Sequence, residues 1–306
     1  MIMKYKYIII HLFAVLLCLP SALFAQLSDA EKNALNEQAK GFDFYFNGGT
    51  YFGNKFHAGF YNGSSSPDVD VKRVLNNYQL KKQIDDLIAE RQNIILDANG
   101  VSLAELPENM RYNISFIFGF GILYHLNRNL SLSLSFSQAR LTAVSGFTLT
   151  YNSGVPGNER PQILEYNLIG KEVRTFFELG VTYMFYANKH ALPFLELAAQ
   201  LNSVKVKSAD MIIEDNAYSM IDYYGGQTYD PTIDQTRIDP YLGGVGGGVL
   251  AGAGLRIPFT KAIAIEPVFQ LHYSFINLEV NDLKKMLPHY NIMIRLIVGD
   301  KIFAKS

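Results

Sequence analysis

Residues 112–137 read YNISFIFGFGILYHLNRNLSLSLSFS. Ile114, Phe116, Phe118, Phe120, Ile122, Tyr124 and Leu126 take every second position, with Asn113, Ser115, Gly119, Gly121 and His125 between them. After Asn127 to Asn129 the alternation resumes, setting Leu130, Leu132, Leu134 and Phe136 against Ser131, Ser133, Ser135 and Ser137. Successive side chains of a strand point to opposite faces, so the stretch predicts two antiparallel strands joined by a tight turn. Each has one apolar and one largely polar face, and Tyr112 falls on the apolar side of the first by the same count.

Six more segments follow the same rule. Phe42, Phe44, Phe46 and Phe52 oppose Asp43, Tyr45, Asn47 and Tyr51. Phe177, Leu179, Val181, Tyr183 and Phe185 oppose Arg174, Glu178, Gly180 and Thr182, and Leu195, Leu197, Ala199 and Leu201 oppose Glu196, Gln200 and Asn202. Val249, Ala251, Ala253, Leu255, Ile257 and Phe259 face away from Gly252, Gly254 and Arg256. Ile263, Ile265, Phe269, Leu271, Tyr273 and Phe275 face away from Glu266, Gln270, His272 and Ser274. The last segment sets Tyr290, Ile292, Ile294, Leu296 and Val298 against His289, Asn291 and Arg295. The count reaches eight, each about 10 residues or more, the length a tilted strand needs to cross hydrocarbon.

The connections alternate in length. Asn127 to Asn129, Ala187 to Ala191 and Thr260 to Ala262 are short, whereas Gly53 to Met110, Leu141 to Val173, Val206 to Gly244 and Leu278 to Pro288 are long. Short turns on one rim and long loops on the other are the pattern of a membrane-spanning up-and-down barrel. A Greek-key sandwich has no reason to sort its connections this way. A soluble, lipocalin-like barrel with the faces inverted is the alternative, and the charges on the proposed interior speak against its dry core. Beyond residue 25 no run of about 18 apolar residues occurs, so strands rather than helices are left to cross lipid.

Charged residues are 18% of the chain, aromatics 13%, tryptophan is absent, and the net charge is −1, which gives no sign of a nucleic-acid partner. Lys4 and Lys6 precede an apolar stretch from Ile8 to Leu19, then Pro20 and the segment Ser21 to Ala25. This predicts a signal peptide over residues 1–25, cleaved after Ala25. A lipoprotein signal would use Cys18, but Leu17 stands where a small residue is wanted. Cys18 is the only cysteine, so the mature chain is expected to have no disulfide, thiolate metal site or thiol nucleophile. Residues 26–41 form either a short periplasmic helix, with Ser28 and Glu31 as a capping box opening Asp29 to Ala39, or a flexible leader.

Taken together, the strands and loop order resemble the small outer-membrane β-barrel family, of the OmpA membrane-domain and OmpX type, over residues 42–303. The resemblance implies an all-β, eight-stranded antiparallel transmembrane barrel integral to a bacterial outer membrane, its long loops outside, with lipid and lipopolysaccharide as surroundings. Members commonly end on an aromatic residue in register with the lipid face. Here Phe303 is out of register with Val298, and either a bulge at Gly299 restores it or the last strand ends near Gly299.

Two regions carry the functional expectations. The lumen lining includes Asp43, Glu178, Glu196 and Glu266 with Arg174, Arg256 and Arg295, and His125 and His272 among them. In an eight-stranded barrel these charges should pair, because an unpaired one costs several kcal/mol, giving a plugged and polar rather than apolar lumen. Ordinary lumen packing and a proton-sensitive gate are both compatible with the set. In the first long loop, Ser66 and Pro67 look like an N-cap and first helical residue, and Val71, Val74, Leu75, Tyr78, Ile84, Leu87 and Ile88 follow at helical spacing, predicting a helical insertion over about residues 66–106. Its apolar face serves either a lid on the barrel mouth or a protein partner, with Val71, Leu75 and Tyr78 as candidate contacts, while Tyr223 and Tyr224 in the tyrosine-rich third long loop serve either adhesive contact or an interfacial belt and loop self-packing.

Chemistry is harder to find. Gly246, Gly248 and Ala251 fit a dinucleotide fingerprint, but no helix follows, so the glycines are read as making room for lumen side chains. Asp230, Asp234 and Asp239 lack the spacing of a calcium loop. No serine, histidine and acid group themselves as a catalytic set. The expectation is therefore a non-enzymatic barrel without cofactor or metal, serving as a loop-binding scaffold or accessory subunit. A narrow channel is the main rival, and a lipid-modifying enzyme the lesser one.

Overall fold

The computed structural model describes residues 40–64, 68–155, 160–185, 191–221, 242–260, 262–278 and 285–299. The signal segment, most of the leader, Ser66, Pro67, Tyr223, Tyr224, Asp230, Asp234, Asp239 and Phe303 lie outside the described residues. No described helix is long and apolar enough to cross a membrane.

The elements run β1 (Gly41–Phe52), α1 (Lys55–Ala58), a 3-10 turn (Gly59–Tyr61), α2 (Val71–Asn76), α3 (Tyr78–Gln92), β2 (Ser102–Glu105) and β3 (Arg111–Tyr112). There follow β4 (Ser115–His125), β5 (Leu130–Tyr151), β6 (Gln162–Met184), β7 (Leu192–Ile213), β8 (Asn216–Ser219), β9 (Val245–Pro258), β10 (Ile263–Phe275) and β11 (Met286–Gly299). All pairings are antiparallel, and β1, β4, β5, β6, β7, β9, β10 and β11 close a ring of eight, with β11 pairing back onto β1. Closure leaves no strand edge among these eight, which hydrocarbon requires because it cannot satisfy a free N–H or C=O.

The alternation read from the sequence sorts as expected. Phe44, Phe46, Phe116, Phe120, Leu134, Phe177, Leu179, Leu197, Phe269, Ile292 and Ile294 are exposed on the outside, and Arg174, Glu178, Glu196, Gln270, His272, Asn291 and Arg295 are buried inside. Two of the short turns are closed by side chains. Asn127 Oδ1 accepts from the N–H groups of Asn129 and Leu130, and Thr260 Oγ1 accepts from those of Ala262 and Ile263.

Three strands are far longer than a bilayer needs. β5, β6 and β7 have 22, 23 and 22 residues, against about 9–11 for a tilted crossing. The segment Leu141 to Val173, expected as a loop, is in large part a continuation of β5 and β6, and the first eight residues of the expected loop Val206 to Gly244 continue β7. The reason is visible along β5. Its inner face changes from Ser131, Ser135 and Ser137 to Ala139, Leu141, Ala143, Phe147 and Leu149, all buried, while its outer face changes from Leu132, Leu134 and Phe136 to Gln138, Arg140 and Thr142. The period of two is unbroken but the polarity inverts, so a search for lipid-facing alternation stops at the inversion. On β7 an additional residue at Lys207, where the register with β6 shifts between Lys171 and Glu172, passes the inner face from Val204 and Val206 to Ala209, Met211 and Ile213.

The inward apolar face of this tall wall is covered by the first long loop. Ala58, Phe60, Tyr61, Val71, Val74, Leu75, Ile84 and Ile88 pack with Phe147, Leu149, Leu168, Val204, Met211 and Ile221 in one core. Each large apolar side chain buried there contributes roughly 1.5–3 kcal/mol over leaving it in water. The result is a cap with its own core on the long-loop rim. The helices start later than the sequence suggested: Asp70 caps α2 through the N–H of Lys72, and Asn77 caps α3 through those of Gln79 and Leu80. Asn93 ends α3 in the left-handed region at φ 52°.

Candidate functional site

The barrel interior is filled by three tiers of side chains that the strands aim inward from different heights. Nearest the short turns, Asp43 Oδ2 lies 2.8 Å from His125 Nε2 and accepts from an Arg256 terminal nitrogen at 2.9 Å, while Arg256 Nε donates to Glu266 at 2.5 Å. In the middle tier Arg295 holds Glu196 with two parallel bonds of 2.8 and 3.0 Å and stands 3.8 Å from the other oxygen of Glu266. The first two tiers are thus one alternating chain of charges. Paired bonding of this kind is the geometry in which a planar guanidinium best matches a carboxylate. Among the described residues no arginine pairs with Glu178. It accepts from Ser135 Oγ at 2.7 Å and Gln200 Nε2 at 3.2 Å, with His272 3.8 Å away, and His272 is held on both ring nitrogens by Gln200 and Asn291.

The third tier lies under the cap. Arg174 Nε donates to Glu172 Oε1 at 2.6 Å, and its terminal nitrogens donate to the Tyr51 and Tyr112 hydroxyls at 3.3 and 3.0 Å. Tyr61 from the cap and Tyr112 both donate to the second Glu172 oxygen, at 2.7 and 3.0 Å. Arg174 and Glu172 are fully enclosed. Beside them the rings of His57, His289 and Tyr51 form a stack, with centroids 5.2 and 6.0 Å apart, and His289 Nδ1 accepts from the Asn54 N–H. The cap is therefore fastened to the barrel through polar groups as well as through its core.

All nine lumen residues read from the sequence face the interior. Eight of them fall in the two lower tiers, and Arg174 belongs to the third. Glu172, Tyr51, Tyr61, Tyr112 and His57 were not singled out with them. Glu172 was recoverable by carrying the parity of Arg174 and Glu178 one step further along β6. Tyr112 corrects its expected lipid-facing place: it pairs with Ala143 whereas Phe116 pairs with Arg140, so four residues on one strand oppose three on the other. That extra residue turns the Tyr112 ring inward.

The lumen is also less polar than expected. Tyr45, Leu123, Ala264 and Ile297 form one interior cluster, and Met184, Phe194, Val268 and Met293 another. The glycines make room for this filling. A Cβ on Gly252 would sit 2.4 Å from Glu196 Oε1, and one on Gly254 2.4 Å from Phe194 Cζ. Of the candidate partner contacts among the described residues, Val71 and Leu75 are buried in the chain's own core, because their helical face is spent on the tall strands, and Tyr78 is exposed. Among the described residues no group of three or more His, Cys, Asp or Glu side chains is placed to hold a metal ion.

No family model matches the chain, and no curated protein matches it. Among solved structures, Neisserial surface protein A is similar at 8% identity, over 84% of this chain and 96% of that one, with a TM-score of 0.39. Ail, the attachment invasion locus protein of Yersinia pestis, solved with the heparin analogue sucrose octasulfate, is similar at 11% identity, over 85% and 97%, with a TM-score of 0.32. The N-terminal β-barrel domain of Pseudomonas aeruginosa OprF is similar at 14% identity, over 62% and 90%, with a TM-score of 0.28. A closed antiparallel ring of eight strands, apolar outside, packed with paired charges and aromatic rings inside, and short-turned on one rim only, is the architecture of the small outer-membrane β-barrels, and this chain has that fold.

Proposed function

We propose that this chain is a non-enzymatic, integral outer-membrane protein in which the barrel is a solid post and the capped rim is the working part, a scaffold that binds a partner protein at the cell surface. The observation that carries the reading is the filled interior continuous with a cap that has its own core. Ion pairs, a histidine stack and apolar clusters occupy the cross-section that a channel would have to leave open. A bare pore has no use for strands that continue past the bilayer to 22 or 23 residues, nor for three helices packed on them.

Exposed apolar side chains on the cap supply the contact surface. Ile95, Val155 and Ile163 stand at the far end of the β5–β6 hairpin, where the Gly154 N–H donates to the Ile95 carbonyl. Scattered apolar residues need no explanation, but Ile95 and Val155, brought side by side by this bond at the described end of the hairpin, offer a compact anchor. Two measurements test the proposal together. Refolded protein in a planar bilayer is expected to give no stable conductance, and the full chain purified from detergent-solubilised membranes is expected to bring a partner in fixed ratio. Ile95→Ser with Val155→Ser should abolish that copurification without changing the fold. A steady ion-selective conductance, with the protein isolated alone, would return the narrow channel to first place.

A further inference from the structure

The outer face of the tall wall carries a cationic concavity where the strands leave the apolar band. The inversion of polarity occurs in register on all three strands. Phe136, Phe177 and Leu201 form the last apolar row, Gln138, Thr175 and Ser203 the next, and Arg140, Val173 and Lys205 the one after. Lys171 and Lys207 follow, at the bulge on β7. Neighbouring strands are about 4.8 Å apart, so four cations from three strands gather within roughly 10 Å of one another. Gln138, Arg140, Lys171, Thr175, Lys205 and Lys207 line a concavity of about 660 Å³ there. Arg140, Lys171 and Lys207 are exposed and Lys205 is half-buried, while Asp210, further along the same face, is close enough to Lys171 to feel its charge.

We infer that this surface binds a phosphate-bearing lipid headgroup of the leaflet on the capped side. The inference rests on the barrel being embedded in a membrane, as proposed above. The order of chemistry along the wall is that of a lipid met from its tails outward: apolar side chains for acyl chains, amide and hydroxyl groups for the ester or sugar region, then cations for phosphate. Arg140 is flanked in register by exposed Phe116 and by Val173, so its charge stands at the edge of the apolar band. A soluble anion would have no use for the apolar rows below.

Full-length protein refolded in micelles is exposed to diphosphorylated lipid A, to dephosphorylated lipid A or to phosphatidylcholine, and retained lipid is counted by native mass spectrometry. Retention of the diphosphorylated form over both others is expected. Each cation near an anionic membrane surface contributes roughly a fivefold factor, so Arg140→Gln, Lys171→Gln and Lys207→Gln together should lower the affinity by roughly a hundredfold. Lys72→Gln, Lys82→Gln and Arg91→Gln, on the cap helices, should leave it unchanged. Equal retention of dephosphorylated lipid, no effect of the wall variant, or displacement by tripolyphosphate at the same concentration as by lipid A would overturn the inference. Flotation with vesicles separates the two readings. If the wall variant floats and only its lipid preference is lost, both stand; if the unaltered chain does not float, the embedding fails first.

Discussion

At the scale of single residues, the sharpest consequence follows from the pair Arg174 and Glu172. Both are fully enclosed, and each has its hydrogen bonds met by the other and by Tyr51, Tyr61 and Tyr112. Glu172→Gln leaves the guanidinium buried with no counter-charge, and removing one member of such a pair costs about 3–5 kcal/mol. Replacing both, as Glu172→Leu with Arg174→Met, should cost far less, because no charge is then left behind. Urea unfolding of the two variants in lipid vesicles distinguishes a strong pair from a mere packing site. His57 offers a pH test on the cap. Burial, reinforced by the nearby Arg174 charge, pushes its pKa down from 6.5 to about 3, so it is neutral in the fold. The unfolded chain binds that proton first as pH falls, so the stability contribution is full above 6.5 and declines from there towards 3. His57→Phe keeps the ring against His289 and should flatten the loss of protease resistance in the cap between about pH 7.5 and about pH 5.

Among elements, the β7–β8 hairpin breaks a local rule and so can be improved. Glu214 and Asp215 both adopt positive φ, 46° and 67°, as the two central residues of a tight turn. That handedness matches the twist of a two-residue hairpin, and Asn-Gly is its preferred sequence. Glu214 has a compensating role, since its carboxylate accepts from Gln92 on α3 and Tyr166 on β6 at 2.6 and 2.7 Å. Asp215 has no such bond among the hydrogen bonds described, so Asp215→Gly should raise the thermal midpoint by relieving about 1 kcal/mol of left-handed strain. Glu214→Gly should gain nothing. The same hairpin shows what periodicity could and could not reveal. Strict alternation made the eight membrane crossings and their two faces legible, down to Arg295 facing inward. It could not show the upper halves of β5, β6 and β7, because there apolar groups face inward towards helices instead of outward towards lipid, and a bulge at Lys207 resets the parity on β7. Tyr112 was misread for the same reason.

For the molecule as a whole, the cap and the barrel behave as two cores stacked on one set of strands, and this decides which truncations survive. Removing the helical loop alone, by joining Asn54 to Met110 through a short linker, uncovers Phe147, Leu149, Leu168 and Met211 on the tall wall, all buried at present. A wall with one large exposed apolar face is an aggregation hazard, so this variant should be recovered poorly and degrade quickly. Removing the loop together with residues 142–171 and 206–244 deletes the wall above the polarity inversion as well. The remaining ring keeps Asp43, Arg256, Glu266, Arg295 and Glu196 in their pairs and leaves each crossing at about the length hydrocarbon demands. It should migrate as a folded barrel on unheated gels and shift on boiling, yet bring down no partner and lose the lipid preference carried by Lys171 and Lys207. If the loop-only deletion instead folds as well as the parent, the wall does not depend on the helices for its cover, and the cap is an appendage rather than a second core.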